Sequence, residues 1–186
     1  AADFNGDGKP DILLQNANTS QINLWEMNGY NIIGAGAVYA PGLSWHVQAA
    51  ADFNGDGKAD ILVQNADTGQ VNLWEMTGPN IITASSIYTP GPSWKVAGAA
   101  DFNHDGKADI VLQNTDTGQV NLWEMNGADI IAAGSISSPG SDWVVKGNAD
   151  FNHDGKPDMV LQNAATSQVS IWEMDGYSII GSGNVY

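Results

Sequence analysis

Asp3-Phe4-Asn5-Gly6-Asp7-Gly8-Lys9-Pro10-Asp11 decides the reading of this chain, because the same nine-residue pattern returns at 52–60, 101–109 and 150–158. Successive copies start 49 residues apart. Each copy puts side-chain oxygens at its first, third, fifth and ninth positions and Gly at its sixth. Short oxygen-bearing side chains at alternate positions of a curled loop converge on one point. The sixth-position glycine permits the sharp turn that brings them there. The pattern predicts a cage for a hard cation, once per structural unit, and with it a repeat architecture.

Working outward from the third copy, Trp94 to Ala100 reads as a first strand entering the loop, and Asp109 to Asn114 as a short β-rich second strand. Asp116-Thr117-Gly118 is a turn, and Gln119 to Met125 alternates polar and apolar residues as a third strand would. Asn126-Gly127 signals a hairpin. Ile130 to Ser137 follows as a fourth strand, and Pro139-Gly140 closes the unit. No segment carries a helical apolar period. Such a sheet has apolar residues on both faces, for example Ile110 and Leu112 against Val111. It cannot bury both alone, whereas stacked units can.

The expected fold is therefore all-β: a β-propeller of four 49-residue blade repeats, each a four-stranded antiparallel sheet. The chain reads as a single repeat domain over 1–186, with cage-to-cage units 3–51, 52–100, 101–149 and 150–186. It is ten residues short of four full units, the shortfall matching 40–49, so one unit is expected to lack most of its first strand. A longer propeller, self-association of chains, and a ring with one short blade are three ways to accommodate this. An unpaired strand edge is sticky, which favours the first two.

The run Asp-Phe-Asn-Gly-Asp-Gly-Lys-x-Asp-Ile resembles the FG-GAP/VCBS repeats of integrin α-subunit propellers and of many secreted bacterial proteins. It is also similar to the calcium-containing repeats of a propeller lectin family. The resemblance implies that the loop lies between the first two strands of each blade and binds Ca²⁺. It would use Asp3, Asn5, Asp7, the Lys9 carbonyl and Asp11 in the first repeat. The others would use Asp52, Asn54, Asp56, Lys58 carbonyl and Asp60; Asp101, Asn103, Asp105, Lys107 carbonyl and Asp109; and Asp150, Asn152, Asp154, Lys156 carbonyl and Asp158. About four Ca²⁺ per chain follow from four such loops. An all-oxygen donor set favours Ca²⁺ over Zn²⁺. An EF-hand loop needs an acid at its twelfth position, where this chain has Leu14, Val63, Leu112 and Leu161.

Composition narrows the function. The formal net charge is −15, with six Lys and no Arg, which argues against nucleic acid and anionic membranes as partners. Twelve of the 21 acidic residues sit in the cages. There is no cysteine, hence no disulfide, thiolate metal site or cysteine nucleophile. No apolar run is long enough for a transmembrane helix. His46, His104 and His153 are the only histidines, the latter two standing inside cages where they are expected to face solvent. No HExxH, GxSxG or P-loop pattern occurs, so the chain is expected not to be an enzyme.

Seven tryptophans fall into two sets. Trp25, Trp74, Trp123 and Trp172 precede Glu-Met in the third strand and are expected in the core between blades. Trp45, Trp94 and Trp143 follow a Pro-Gly corner, outside the regular strand pattern. They fit two roles: packed edge residues, or ligand-binding platforms on which sugar rings stack. Glu26, Glu75, Glu124 and Glu173 could line a polar groove or satisfy structural hydrogen bonds. The composite expectation is a secreted or cell-surface, calcium-stabilised, lectin-like module for multivalent glycan binding. An integrin-like protein-adhesion module, and a structural or targeting appendage of a larger secreted enzyme, are the alternatives.

Overall fold

A computed structural model describes residues 1–185 and is all-β. The chain divides into two compact units, Ala1–Pro92 and a second that begins at Ser93. The first unit holds a three-stranded sheet, β1 (Ile12–Gln15), β2 (Ile22–Asn28) and β3 (Asn31–Tyr39). It also holds a four-stranded sheet, β4 (Trp45–Ala51), β5 (Asp60–Asn65), β6 (Val71–Thr77) and β7 (Asn80–Tyr88). The second unit holds two four-stranded sheets: β8 (Trp94–Ala100), β9 (Asp109–Asn114), β10 (Val120–Asn126) and β11 (Asp129–Ser137), then β12 (Trp143–Ala149), β13 (Asp158–Asn163), β14 (Val169–Asp175) and β15 (Ser178–Asn184). All pairings are antiparallel between neighbours in sequence.

The expected strands stand where the sequence puts them, with one-residue shifts at three ends: β10 begins at Val120 and runs through Asn126, and β11 begins one residue before Ile130. One expectation is corrected. Trp45, Trp94 and Trp143 do not stand outside the regular strand pattern but open β4, β8 and β12, in line with the reading of Trp94 to Ala100 as a first strand, because the Pro-Gly corner is already a tight turn; Trp45 N donates to Gly42 O at 3.0 Å and Trp143 N to Gly140 O at 3.1 Å. Each of the three four-stranded sheets therefore starts at its Trp and spans its cage. The first sheet has the expected short side: ahead of β1 only Ala2 bridges Asp11.

Burial follows from two covered faces. In the first unit Phe4, Ile22 and Leu24 pack with Ile61, Val63, Trp74 and Met76, joining the two sheets in one core. In the second unit Phe102, Val111, Val120 and Leu122 pack with Met159, Leu161, Trp172 and Met174. Burying each such side chain contributes about 1.5–3 kcal/mol. This is why the third strands do not simply alternate: Leu73 and Trp74 are both buried, on opposite faces of one sheet. The sheets also bond across the seam. Gln15 Nε2 donates to Trp45 O at 2.7 Å and its Oε1 accepts from Val47 N at 3.0 Å, and Gln113 does the same with Trp143 and Val145.

Candidate functional site: the four cage loops

Each loop sits between the first two strands of its sheet or, in the first repeat, between the Ala2 bridge and β1. Left-handed backbone makes the curl. Gly8 has φ 81° and Gly57 φ 82°, and the fourth residue of each loop is left-handed too. At that fourth place Gly6 and Gly55 give way to His104 (φ 61°) and His153 (φ 65°), both exposed.

The curl turns the acidic side chains onto loop amides. Asp3 Oδ1 accepts from Gly6 N at 2.7 Å and its Oδ2 from Gly8 N at 2.7 Å. Asn5 Oδ1 accepts from Asp7 N, and Asp7 Oδ1 from Lys9 N, each at 2.9 Å. The other loops repeat the scheme, for example Asp52 with Gly55 and Gly57, Asn54 with Asp56, and Asp56 with Lys58. Burial alone would raise the carboxyl of Asp3, but the amides of Gly8, Gly6, Asp7 and Asn5 together outweigh it and hold the group below the usual range. The same balance, with a contribution from His153, holds Asp150 low.

The ninth-position aspartates behave differently. Asp11, Asp60, Asp109 and Asp158 are fully buried. Asp60 Oδ2 accepts from Phe53 N and its Oδ1 from Met76 N, both at 3.0 Å, so one carboxylate pins the loop to the third strand. Asp11, Asp109 and Asp158 make the same pair of bonds. Burial pushes the carboxyls of Asp60 and Asp109 up to about 6 despite these donors. The sequence pattern marked these residues as cation ligands but not as staples. The signal was there: an Asp that opens an apolar strand 16 residues ahead of a Met in the next strand.

Three chemical facts bear on what the loops can hold. Every donor is an oxygen, which suits a hard cation. Each loop brings three carboxylates and one Lys, and in the first two repeats that Lys pairs with a loop acid: Lys9 Nζ lies 3.3 Å from Asp7 Oδ2 and Lys58 Nζ 3.9 Å from Asp56 Oδ2. In the fourth repeat Lys156 Nζ instead meets Asp175 at 2.8 Å. With the side chains turned to the amides, no group of three or more His, Asp or Glu among the described residues converges as a metal centre. Amide bonds use one lone pair of each oxygen and leave the other for a cation, so the donor set fits.

The FG-GAP-like repeat matches residues 3–63, 52–112 and 101–161, three overlapping copies that each span two cages. The chain belongs to the FG-GAP-like repeat family. Repeats of this family often bind calcium. No curated protein matches the chain. Each matched copy holds two of the loops and, between them, one Pro-Gly corner with its Trp, at 41–45, 90–94 and 139–143.

The corners differ in the turn residue that faces them, Ser20 in the first repeat against Gly69 and Gly118 in the next two. Trp45, Trp94 and Trp143 are half-buried, and Trp45 and Trp143 lean on the cores of their units. In two repeats the turn after the second strand meets the Pro-Gly corner directly. A Cβ on Gly69 would stand 2.1 Å from Gly91 O, and one on Gly118 2.2 Å from Gly140 O. In the first repeat the matching residue is Ser20, whose Oγ accepts from Gly42 N at 3.0 Å and props the corner away. Beside it opens a cleft of about 240 Å³, lined by Asn16, Ser20, Leu43, Trp45 and His46. Of the other Trp set, Trp74, Trp123 and Trp172 are buried as expected, and Trp25 is exposed. The Glu set is half-buried; the Glu26 carboxylate lies against Gly34 and Gly78, where a side chain would clash.

Proposed function

We propose that this chain is a non-catalytic, calcium-stabilised binding module of the propeller type, acting outside the cell or at its surface, with glycans as its ligand. The observation that carries the reading is the fourfold return of one oxygen-only loop, each tied by a buried aspartate to the strand behind it. Bound Ca²⁺ would neutralise three like charges gathered in one loop and cross-link residues 1, 3, 5, 7 and 9 of the nonapeptide. Extracellular modules work with calcium affinities of about 10⁻⁴–10⁻³ M, concentrations met outside cells. The stacking of sheet on sheet within each unit is the packing that neighbouring propeller blades use.

The ligand reading rests on the cleft at Trp45. An exposed indole edge, a second apolar wall in Leu43 and the neighbouring His46 and Asn16 suit a sugar ring better than a flat protein surface. The closed corners at Gly69 and Gly118 favour Trp45 over Trp94 and Trp143 as the platform. A glycan array run in calcium and again in chelator tests this. Binding that is lost in Trp45→Ala, with calcium uptake and the circular dichroism of a folded protein retained, supports it; a blank array in calcium removes the glycan. A protein ligand is the second reading, favoured by exposed Ile82, Ile131 and Ile180 at the same place in three fourth strands, with Ile33 matching them in β3.

A further inference from the structure

Each sheet presents a leading face and a trailing face, and the second unit displays how they fit. The leading face of its last sheet, Met159, Leu161, Trp172 and Met174, covers the trailing face of the sheet before it, Phe102, Val120 and Leu122. The hairpin of the last sheet adds a key: Tyr177 lies over Gly134 so closely that a Cβ there would be 2.9 Å from its ring.

The repeat supplies the same key and the same lock once more, and both are bare. Tyr30 matches Tyr177, and Gly183 matches Gly134. Tyr30 is 93% exposed. Around it Ile12, Leu14 and Trp25 are exposed, whereas their counterparts Met159, Leu161 and Trp172 are buried. On the last sheet Phe151 is 50% exposed, against 1% for its counterpart Phe102. A Cβ on Gly183 would meet nothing within 4 Å. Over it opens a cleft of about 210 Å³ lined by Phe151, Ile171, Glu173, Gly183 and Val185. Its Glu173 matches Glu124, the residue whose backbone and carboxylate face Tyr177 in the second unit.

We propose that the leading face of one chain, Tyr30 with Ile12, Leu14 and Trp25, docks on the trailing face of a second copy, the Tyr30 ring entering the cleft over Gly183. The occupant is a second copy because each face is the repeat-related partner of the other. The contact would reproduce a seam the chain already builds between its last two sheets. Two apolar faces of this kind on one chain mark an interaction surface. The contact is head-to-tail, so the number of copies is set by the angle at which successive chains close on themselves. It involves neither the Trp45 cleft nor a ligand.

Sedimentation velocity in calcium, without glycan, tests it. The chain is expected to run at a whole multiple of its single-chain mass; a single-chain mass across the concentration range overturns the proposal. Tyr30→Asp sets a carboxylate against Glu173, and Gly183→Val fills the cleft. Both positions are open in the single chain, so circular dichroism and melting of each variant should stay those of a folded protein. Each variant alone is expected to drop to the single-chain mass. Mixed in equal amounts, the intact leading face of the Gly183→Val chain meets the intact trailing face of the Tyr30→Asp chain, and a two-chain species returns. Either variant keeping the parent mass, or a mixture that restores nothing, overturns the proposal.

Discussion

A buried carboxylate with two backbone donors is the residue on which each repeat turns. Asp60 is fully buried and satisfies Phe53 N and Met76 N at once. Asp60→Ala leaves two amides without partners in a closed site, at about 1–3 kcal/mol each. Urea unfolding should therefore lose about 2–6 kcal/mol of stability even in chelator. A loss confined to calcium-loaded protein would reduce Asp60 to a cation ligand. His104 works the other way. It holds φ 61° in the place where Gly6 and Gly55 stand in the first two repeats. The left-handed region costs a residue with a Cβ about 1–2 kcal/mol, part of which glycine returns as backbone entropy. His104→Gly should raise stability by about 0.5–1 kcal/mol, read as a higher urea midpoint at unchanged slope. A lower midpoint would mean that the imidazole makes a contact worth more than the strain.

At the scale of the element, strands and loops were legible because this sequence writes each one three or four times. Asp109 to Asn114 and Trp94 to Ala100 are strands to the residue, bounded by turn chemistry that a single copy would have left ambiguous. The bulges were not legible. Register shifts between Glu75 and Met76, and between Glu124 and Met125, fall where the buried Asp60 and Asp109 bond the Met amides. A tertiary hydrogen bond decides them, and strand periodicity carries no trace of it. The Trp45 cleft was half legible: the Trp was visible, but one Ser in place of Gly in a distant turn decides whether the corner is open.

The loop itself yields a linkage prediction. Three carboxylates a few ångströms apart repel by about 1–4 kcal/mol per pair at effective dielectrics between water and a protein surface. Calcium at a hundredfold its dissociation constant adds about 2.7 kcal/mol per site. Chelator should lower the melting temperature by many degrees, and Asp56→Ala should remove one site of uptake in calorimetric titration. An unchanged melt would set the structural cation aside. The pH dependence follows from Asp60 and Asp109, whose carboxyls burial lifts to about 6. A folded carboxyl above its unfolded value of about 3.9 costs stability when ionised. In chelator, acidifying from about pH 7.5 to about pH 5 should protonate both and raise stability. In calcium the same protonation competes with the cation, so the calcium-dependent gain in melting temperature should shrink through that window. Equal gains at both ends would place these two carboxyls outside the calcium site.

For the whole molecule, charge is the property that the loops control. The chain carries −15, and twelve of its 21 acidic residues lie in the four nonapeptides. Those charges sit at fixed positions in loops closed by their own amides, so they cannot spread apart as surface acids do. Four Ca²⁺ would add eight charges and bring −15 to −7, roughly halving the net charge and cutting the self-repulsion, which scales as its square, to about a quarter. Two measurements follow from this arithmetic. Native mass spectrometry in calcium should count about four ions per chain, and fewer by one in Asp56→Ala. Free-solution electrophoretic mobility should fall by about half on loading, since mobility tracks net charge at constant size. Added monovalent salt should stabilise the chelated chain, by screening its acids over about 10 Å, and do little to the loaded one. Mobility that is the same in calcium and in chelator would leave the loops as hydrogen-bonded turns with no cation. The repeated aspartates would then be explained by the amides they cap and by the staple at their ninth position.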